Sequence, residues 1–339
     1  MPSYINAISY YLPNKILTNE EISQIYPEWS VEKISSKVGI NQRHISGDNE
    51  TAGDLAICAA EKLFEEYNID RSLIDYVILC TQSPDYFLPS TSCALQHKLG
   101  LSRKCGAFDF NLGCSGYIYG LGLAKGLLSS NQAQNILLLT GETYTKYLNE
   151  KDKGNRTMFG DAATASLISN KIFPECLNAE ILEFCYGTDG SGYENLIVKN
   201  GCSRHYLQDG LNMFDDDYNF VSNDNNLFMD GKAIFNFTAF QIPQLVKDTL
   251  AKNSISLEGV DKFIFHQANE YMLNTVRKRC GIPEEKFFVD IKDIGNTVSN
   301  SIPIAIYRAL DQGVLNNIHH ILISGFGVGL SMGAVLIRK

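Results

Sequence analysis

Cys114, His266 and Asn296 are the residues of this 339-residue chain whose types and settings suit covalent chemistry. Cys114 stands in Phe108-Asp-Phe-Asn-Leu-Gly-Cys-Ser-Gly-Tyr, between a run of strand character and a glycine-rich run of helical character. A cysteine so placed lies near a helix N-terminus, where unpaired N–H groups and the helix dipole favour thiolate over thiol. Gly113 and Gly116 permit a tight turn and a close approach of substrate to the backbone. Taken alone, the residue also reads as a buried structural cysteine beside a turn.

His266 closes the apolar run Phe263-Ile-Phe and opens His-Gln-Ala-Asn. Ligand sites of α/β folds gather at the carboxyl ends of strands, although a histidine here equally suits the cap of the next helix. Asn296 lies in Ile294-Gly-Asn-Thr-Val-Ser-Asn-Ser, a sequence that by itself is an ordinary turn. Near the end of the chain, Ser324-Gly-Phe-Gly-Val-Gly-Leu-Ser carries glycines at alternate positions. Main-chain N–H groups there can reach a ligand. One such donor in an oxyanion hole is worth ~3–4 kcal/mol of transition-state stabilisation. A glycine-rich hairpin is the plainer reading.

The elements that must hold these residues repeat along the chain. Asp75 and Asp261, in Ile-Asp-Tyr-Val-Ile-Leu-Cys and Val-Asp-Lys-Phe-Ile-Phe-His, are 186 residues apart. Asp109 and Asp290 are separated by 181, and Gly141 and Gly325 by 184. Three anchors in one order at nearly constant offset indicate an internal duplication, which places Cys114 and Asn296 at related positions and His266 opposite Cys80. Residues 51–67, 116–128, 239–252, 270–280 and 302–310 have helical period, while 76–80 and 136–139 read as buried strands. Alternating strands and helices imply α/β layers. The Asp/Asn-rich stretch 209–226 has no period and reads as a solvated surface loop, with a lid over a pocket as the second reading.

Composition narrows the function. With 29 basic against 38 acidic residues the net charge is −9, which argues against sequence-general nucleic-acid binding. No apolar run approaches the roughly 20 residues of a membrane helix, and the start lacks the features of a signal peptide, so a cytoplasmic protein is expected. Nine cysteines without Cys-x-x-Cys or paired Cys/His spacing suggest neither a disulfide framework nor a metal site.

Jointly, Asn-Leu-Gly-Cys114-Ser-Gly, Met158-Phe-Gly-Asp161-Ala-Ala, His266-Gln-Ala-Asn, Gly295-Asn296-Thr and the terminal Gly-Phe-Gly-Val-Gly-Leu-Ser resemble the 3-oxoacyl-[acyl-carrier-protein] synthase III family of the thiolase superfamily, over essentially the whole chain. The resemblance implies a thiolase-like duplicated five-layer αβαβα fold, with residues 1–170 carrying the nucleophile and 171–339 the histidine and asparagine. It implies an acyl-Cys114 intermediate taken from an acyl-coenzyme A or acyl-carrier-protein donor, then decarboxylative condensation with a malonyl-carrier thioester. The backbone N–H groups of Cys114 and Val328 would form the oxyanion hole, and His266 and Asn296 would stabilise the enolate. No metal or cofactor is implied; coenzyme A or phosphopantetheine enters with the substrate. Donor or carrier contacts would fall at Lys37, Lys153, Lys232, Phe235, Asn269, Lys278 and Arg279. Leu88 would reach across a homodimer into the partner's acyl pocket.

The departures bear on substrate. Lys33 and Lys153 align where the family places a Trp and an Arg around adenine, and neither stacks as a planar group does. Lys37 and Tyr271 each replace an Arg. The expectation is a specialised paralogue whose donor is held differently or arrives on a carrier protein. The order Cys, His, Asn is also that of papain-like proteases, which the duplication disfavours. Transfer of the acyl group to an alcohol or amine is the alternative within the fold, and Asn296 speaks for condensation. A non-catalytic partner subunit would usually lack the cysteine.

Overall fold

The computed structural model describes residues 2–206 and 208–339. Ten strands make the framework: β1 (Tyr4–Tyr11), β2 (Tyr76–Cys80), β3 (Gly106–Phe110), β4 (Asn135–Glu142), β5 (Ala162–Ser169), β6 (Ala179–Thr188), β7 (Lys262–Phe265), β8 (Phe287–Phe288), β9 (His320–Gly327) and β10 (Ser331–Arg338). They are hydrogen-bonded in the order β8-β7-β9-β10-β6-β1-β5-β4-β2-β3. Read outward from the centre, the two halves are the same: β1-β5-β4-β2-β3 and β6-β10-β9-β7-β8. The directions repeat as well, with β2 parallel to β3 and β4, and β7 parallel to β8 and β9. The halves meet where β1 and β6 pair at Tyr4 with Glu180 and Ile5 with Ala179.

One pair of anchors from the sequence repeat does the same work in both halves. The Asp75 carboxylate accepts from the N–H groups of Gln134 and Asn135 at the start of β4. Asp261 accepts from those of His319 and His320 at the start of β9. Asp109 and Asp290 have diverged: the first accepts from Thr91 and Ser92, and the second pairs with Arg308 at 3.2 Å.

Helices complete five layers. On one outer face lies α2 (Ala52–Glu66), with Thr51 and Asp54 forming its capping box. On the other lie α5 (Gly231–Lys252) and α6 (Glu270–Arg279). Between the two half-sheets run α4 (Gly116–Ser129) and α7 (Ser301–Asp311), named here with α1 (Val31–Val38) and α3 (Thr91–Lys98) in chain order. Tyr117, Ile118 and Leu121 of α4 and Ile302 and Ile306 of α7 are fully buried in one cluster with Ile78, Ile264, Ile323 and Val335 from both half-sheets. Each such aliphatic side chain contributes roughly 1.5–3 kcal/mol by leaving water. This middle layer is what positions Cys114, which stands two residues before α4.

Two expectations are corrected. The helix read over 239–252 starts at Gly231, because Asp230 caps it by accepting from Lys232 and Ala233. Its first turns carry Lys232, Asn236 and Thr238, which dilute the apolar signal. Within 209–226, short strands Met213–Phe214 and Phe220–Ser222 pair as a hairpin, and Phe214, Tyr218 and Phe220 line a groove. The solvated-loop reading is corrected only in that the stretch holds a hairpin: it stays largely exposed and also walls that groove. Among the described residues, no helix is long and apolar enough to cross a membrane.

Candidate active site

Cys114 is 6% exposed and lies between β3 and α4. β9 runs directly against it. A methyl group on Gly327 would come within 3.0 Å of both Cβ and Sγ of Cys114, and one on Gly325 within 2.6 Å of its carbonyl oxygen. The alternate glycines thus let one strand end lie on the backbone of Cys114. Two main-chain N–H groups bear on the thiol, those of Val328 and of Cys114 itself. They pull its pKa down, but burial dominates and, with the Glu142 carboxylate, pushes the thiol up to about 12. The expectation of a ready thiolate is corrected: desolvation outweighs the helix terminus in the free protein.

His266 follows β7 and is buried. Its N–H donates to Ser324 of β9 at 2.8 Å, and its ring meets the Phe326 ring edge-on at 5.8 Å. Cys114 and His266 therefore converge on neighbouring residues of one strand, Gly327 and Phe326. Nδ1 lies 2.7 Å from the Ser301 hydroxyl at the start of α7. Burial lowers the imidazole to about 3, with the Val298 carbonyl pulling the other way, so the ring is neutral at pH 7.

Asn296 is buried, and its Oδ1 accepts from the Val298 N–H at 2.9 Å. That bond fixes the amide with Nδ2 as the remaining donor group. Its backbone is locked to the Met158–Gly160 turn: Asn296 N donates to Met158 O at 2.8 Å, and Gly160 N to Asn296 O at 3.0 Å. Asp161, next in that turn, is buried and accepts from Ser46 and Thr145 through both main chain and side chain. The segments singled out in the sequence thus meet around one point, drawn from both halves of the molecule.

Glu142, at the end of β4, escaped the sequence reading. It is fully buried, and it accepts from Gln82 N, the Ser83 hydroxyl and the Ser299 hydroxyl at 3.0–3.2 Å. Burial raises its carboxyl to about 8. Gly-Glu-Thr on a strand of apolar residues was the available signal, since a carboxylate at such a place requires partners.

A groove of about 990 Å³ opens beside this centre, lined by Lys37, Lys153 and Arg156 together with Trp29, Met158 and the 213–222 hairpin. Trp29 corrects the expectation that Lys33 leaves the groove without a planar ring. Lys33 and Lys37 are one turn apart on α1, and their ammonium groups sit 5.4 and 4.7 Å from the Trp29 ring centroid. Lys153 is paired with Glu28 at 3.0 Å.

Lys232, Phe235 and Asn269 do not line this groove. Lys232 is exposed, Phe235 stacks on Tyr271 at 5.6 Å, and Asn269 caps α6 by accepting from Met272. In the segment Arg277-Lys278-Arg279, Arg277 bonds to Glu284 and the Ile282 carbonyl, while Lys278 and Arg279 are exposed. Leu88 is 83% exposed, beside Tyr86 and Phe87.

A family model described as 3-oxoacyl-[acyl-carrier-protein] synthase III matches residues 108–190, and its C-terminal counterpart matches residues 250–339. The chain is 35% identical over 331 residues to a beta-ketoacyl-[acyl-carrier-protein] synthase III of Clostridium perfringens, covering 97% of this chain and 96% of that one. The chain belongs to the synthase III family. Another family member, from Streptococcus agalactiae, is 36% identical over 337 residues, 98% of each chain. A crystal structure of a 3-oxoacyl-(acyl-carrier-protein) synthase III superposes with a TM-score of 0.95 at 42% identity, covering all of both chains. The chain is thus an acyltransferase-type condensing enzyme with the thiolase-like fold of synthase III, and the first matched segment contains Cys114 while the second contains His266, Asn296 and Val328.

Proposed function

We propose that the chain joins an acyl group to a malonyl-carrier thioester through an acyl-Cys114 intermediate, releasing carbon dioxide and a β-ketoacyl thioester. The observation that carries this reading is Cys114 packed against Gly325 and Gly327 of β9, the strand that His266 also meets, beside a neutral histidine and an oriented asparagine amide. Cys114 sulfur attacks the donor carbonyl, the two N–H groups hold the oxyanion, and the leaving thiolate takes the thiol proton. Burial keeps the free enzyme a thiol, so this proton moves only when a donor is present.

The malonyl thioester then loses carbon dioxide, and the electron pair passes to an enolate. Asn296 Nδ2 and His266 Nε2 donate to its oxygen. A hydrogen on Nε2 requires Nδ1 to accept, for which the Ser301 hydroxyl turns its hydrogen from the Val298 carbonyl, 3.0 Å away, to the ring. The enolate carbon attacks the acyl-Cys114 carbonyl and expels the sulfur as thiolate, which takes a proton from solvent. A cationic imidazole is not needed; neutral donors suit a charge that develops and disappears.

The groove beside Trp29, Lys37 and Lys153 suits the pantetheine arm of coenzyme A or of a carrier protein. With Lys37 over the Trp29 ring and Lys153 tied to Glu28, a carrier-borne donor for a specialised pathway is the reading we favour. Lys278 and Arg279 offer an acidic carrier a cationic surface, and the exposed Leu88 suits a homodimer contact. Nine free cysteines accord with a reducing cytoplasm.

Intact-protein mass spectrometry with acyl-coenzyme A and acyl-carrier thioesters tests the proposal. Wild type should gain one acyl mass and Cys114→Ala none. Absence of an adduct from every donor would overturn it.

A further inference from the structure

A second cavity, of about 610 Å³, is lined by Gln82, Tyr144, Tyr147, Leu196, Leu227 and Val328. Val328 lines it, and its Cγ1 would lie 2.6 Å from a methyl group on Gly113, the residue before Cys114, so the cavity is where the chain of an acyl-Cys114 would extend. This inference rests on the acyl-Cys114 reading. One wall is apolar, with Leu196 and Leu227 nearly buried. The part formed by Gln82, Tyr144 and Tyr147 is not.

That wall is a chain of polar groups. The Tyr144 phenol donates to Gln82 Oε1 at 3.0 Å, Gln82 Nε2 donates to Asn111 Oδ1 at 3.1 Å, and the Tyr147 phenol donates to the Gln82 carbonyl at 3.0 Å. It stands beside the nucleophile: Gln82 Oε1 would lie 2.5 Å from a methyl group on Gly113. Tyr144 is 4% exposed and packs on Phe159 at 5.2 Å. Each phenol spends its hydrogen within the wall. Among the described residues, no donor reaches either phenol oxygen, and Gln82 Nε2 keeps a second hydrogen. An alkyl chain would cover these groups without pairing them, which is unfavourable. A hydroxyl can accept from the amide and donate to a phenol at once.

We infer that the acyl group this enzyme takes is a hydroxyacyl group, recognised by Tyr144, Gln82 and Tyr147. A site built to pair with a substrate hydroxyl discriminates against the analogue that lacks it far more than a hydrophobic pocket does against an added methylene.

The test is the rate of Cys114 acylation by pantetheine thioesters, 3-hydroxybutyryl against butyryl and 3-hydroxyhexanoyl against hexanoyl, followed by intact mass. Pantetheine removes the question of coenzyme A against carrier. Wild type should load a hydroxylated member about tenfold faster or more, and Tyr144→Phe and Gln82→Met should each bring that ratio towards one. Equal loading, or faster loading of the alkyl members, overturns the substrate class and leaves the acyl-Cys114 reading standing. No loading by any of the four, with coenzyme A and carrier donors equally inert, overturns that reading and this inference with it. A ratio unchanged in both variants would also overturn the assignment to this wall.

Discussion

Ser299 donates its hydroxyl hydrogen to Glu142 across 3.0 Å, and the bond runs from the turn that carries Asn296 to the end of β4 in the other half of the molecule. Through Gln82 N and the Ser83 hydroxyl, the same carboxyl holds the loop that follows β2. Glu142 therefore ties the turn that carries Asn296 to the loop that carries Gln82.

The pH dependence of stability should report this carboxyl. Burial raises it from an ordinary 4.5 to about 8 in the folded chain, so the folded state holds the proton more tightly than the unfolded state does. Its contribution is complete below about 4.5 and is lost as pH rises through about 8. Denaturation at pH 6 and pH 9 should show wild type losing on the order of a few kcal/mol at the higher pH. Glu142→Gln should flatten that difference; an unchanged slope would contradict the assignment.

The two half-reactions should separate by residue. His266→Ala and Asn296→Ala are expected to slow condensation by about 10²–10³-fold while Cys114 still acylates at near the wild-type rate. Ser301→Ala, which removes the hydroxyl 2.7 Å from Nδ1, should slow condensation by about tenfold and leave acylation unaffected. Intact mass follows the first half-reaction, and carbon dioxide release follows the second. Equal losses in both would assign these residues to folding instead.

Gly325→Ala should destabilise the protein by roughly 1–3 kcal/mol, because the added methyl meets the Cys114 carbonyl and Ser115 Cα, which are main chain and cannot turn aside. Cys114→Ala should not relieve it, since the clash is not with the thiol. A thermal melt of the single and double variants decides the point.

Reversal of Lys278 and Arg279 to Glu should raise KM for carrier-borne substrates severalfold and leave pantetheine thioesters unchanged. Arg277→Glu is a different experiment. Its guanidinium is 11% exposed and bound to Glu284, so that change should lower the melting temperature.

The duplication and most of the middle layer were legible in the sequence, because buried strands and small-residue helices leave strong patterns. The convergence of Cys114, His266 and Asn296 was legible only through their joint resemblance to a known arrangement. Trp29 was missed for a geometric reason: a linear comparison sets Lys33 at the ring position, whereas the indole reaches the groove from just before α1 and lies beneath both lysines. Glu142 was missed because its partners, at 82, 83 and 299, come from two distant segments. The state of the thiol was misjudged because a helix terminus can be read from sequence, but the depth of burial that opposes it cannot.

A thiol at the head of a middle-layer helix, with a half-sheet on either side, is out of reach of any globular partner. On the acyl-Cys114 proposal, the bulk of a carrier would stop at the surface while only a slender arm went in. The architecture would then sort substrates first by how they are tethered, and by their acyl group only once the arm had delivered it.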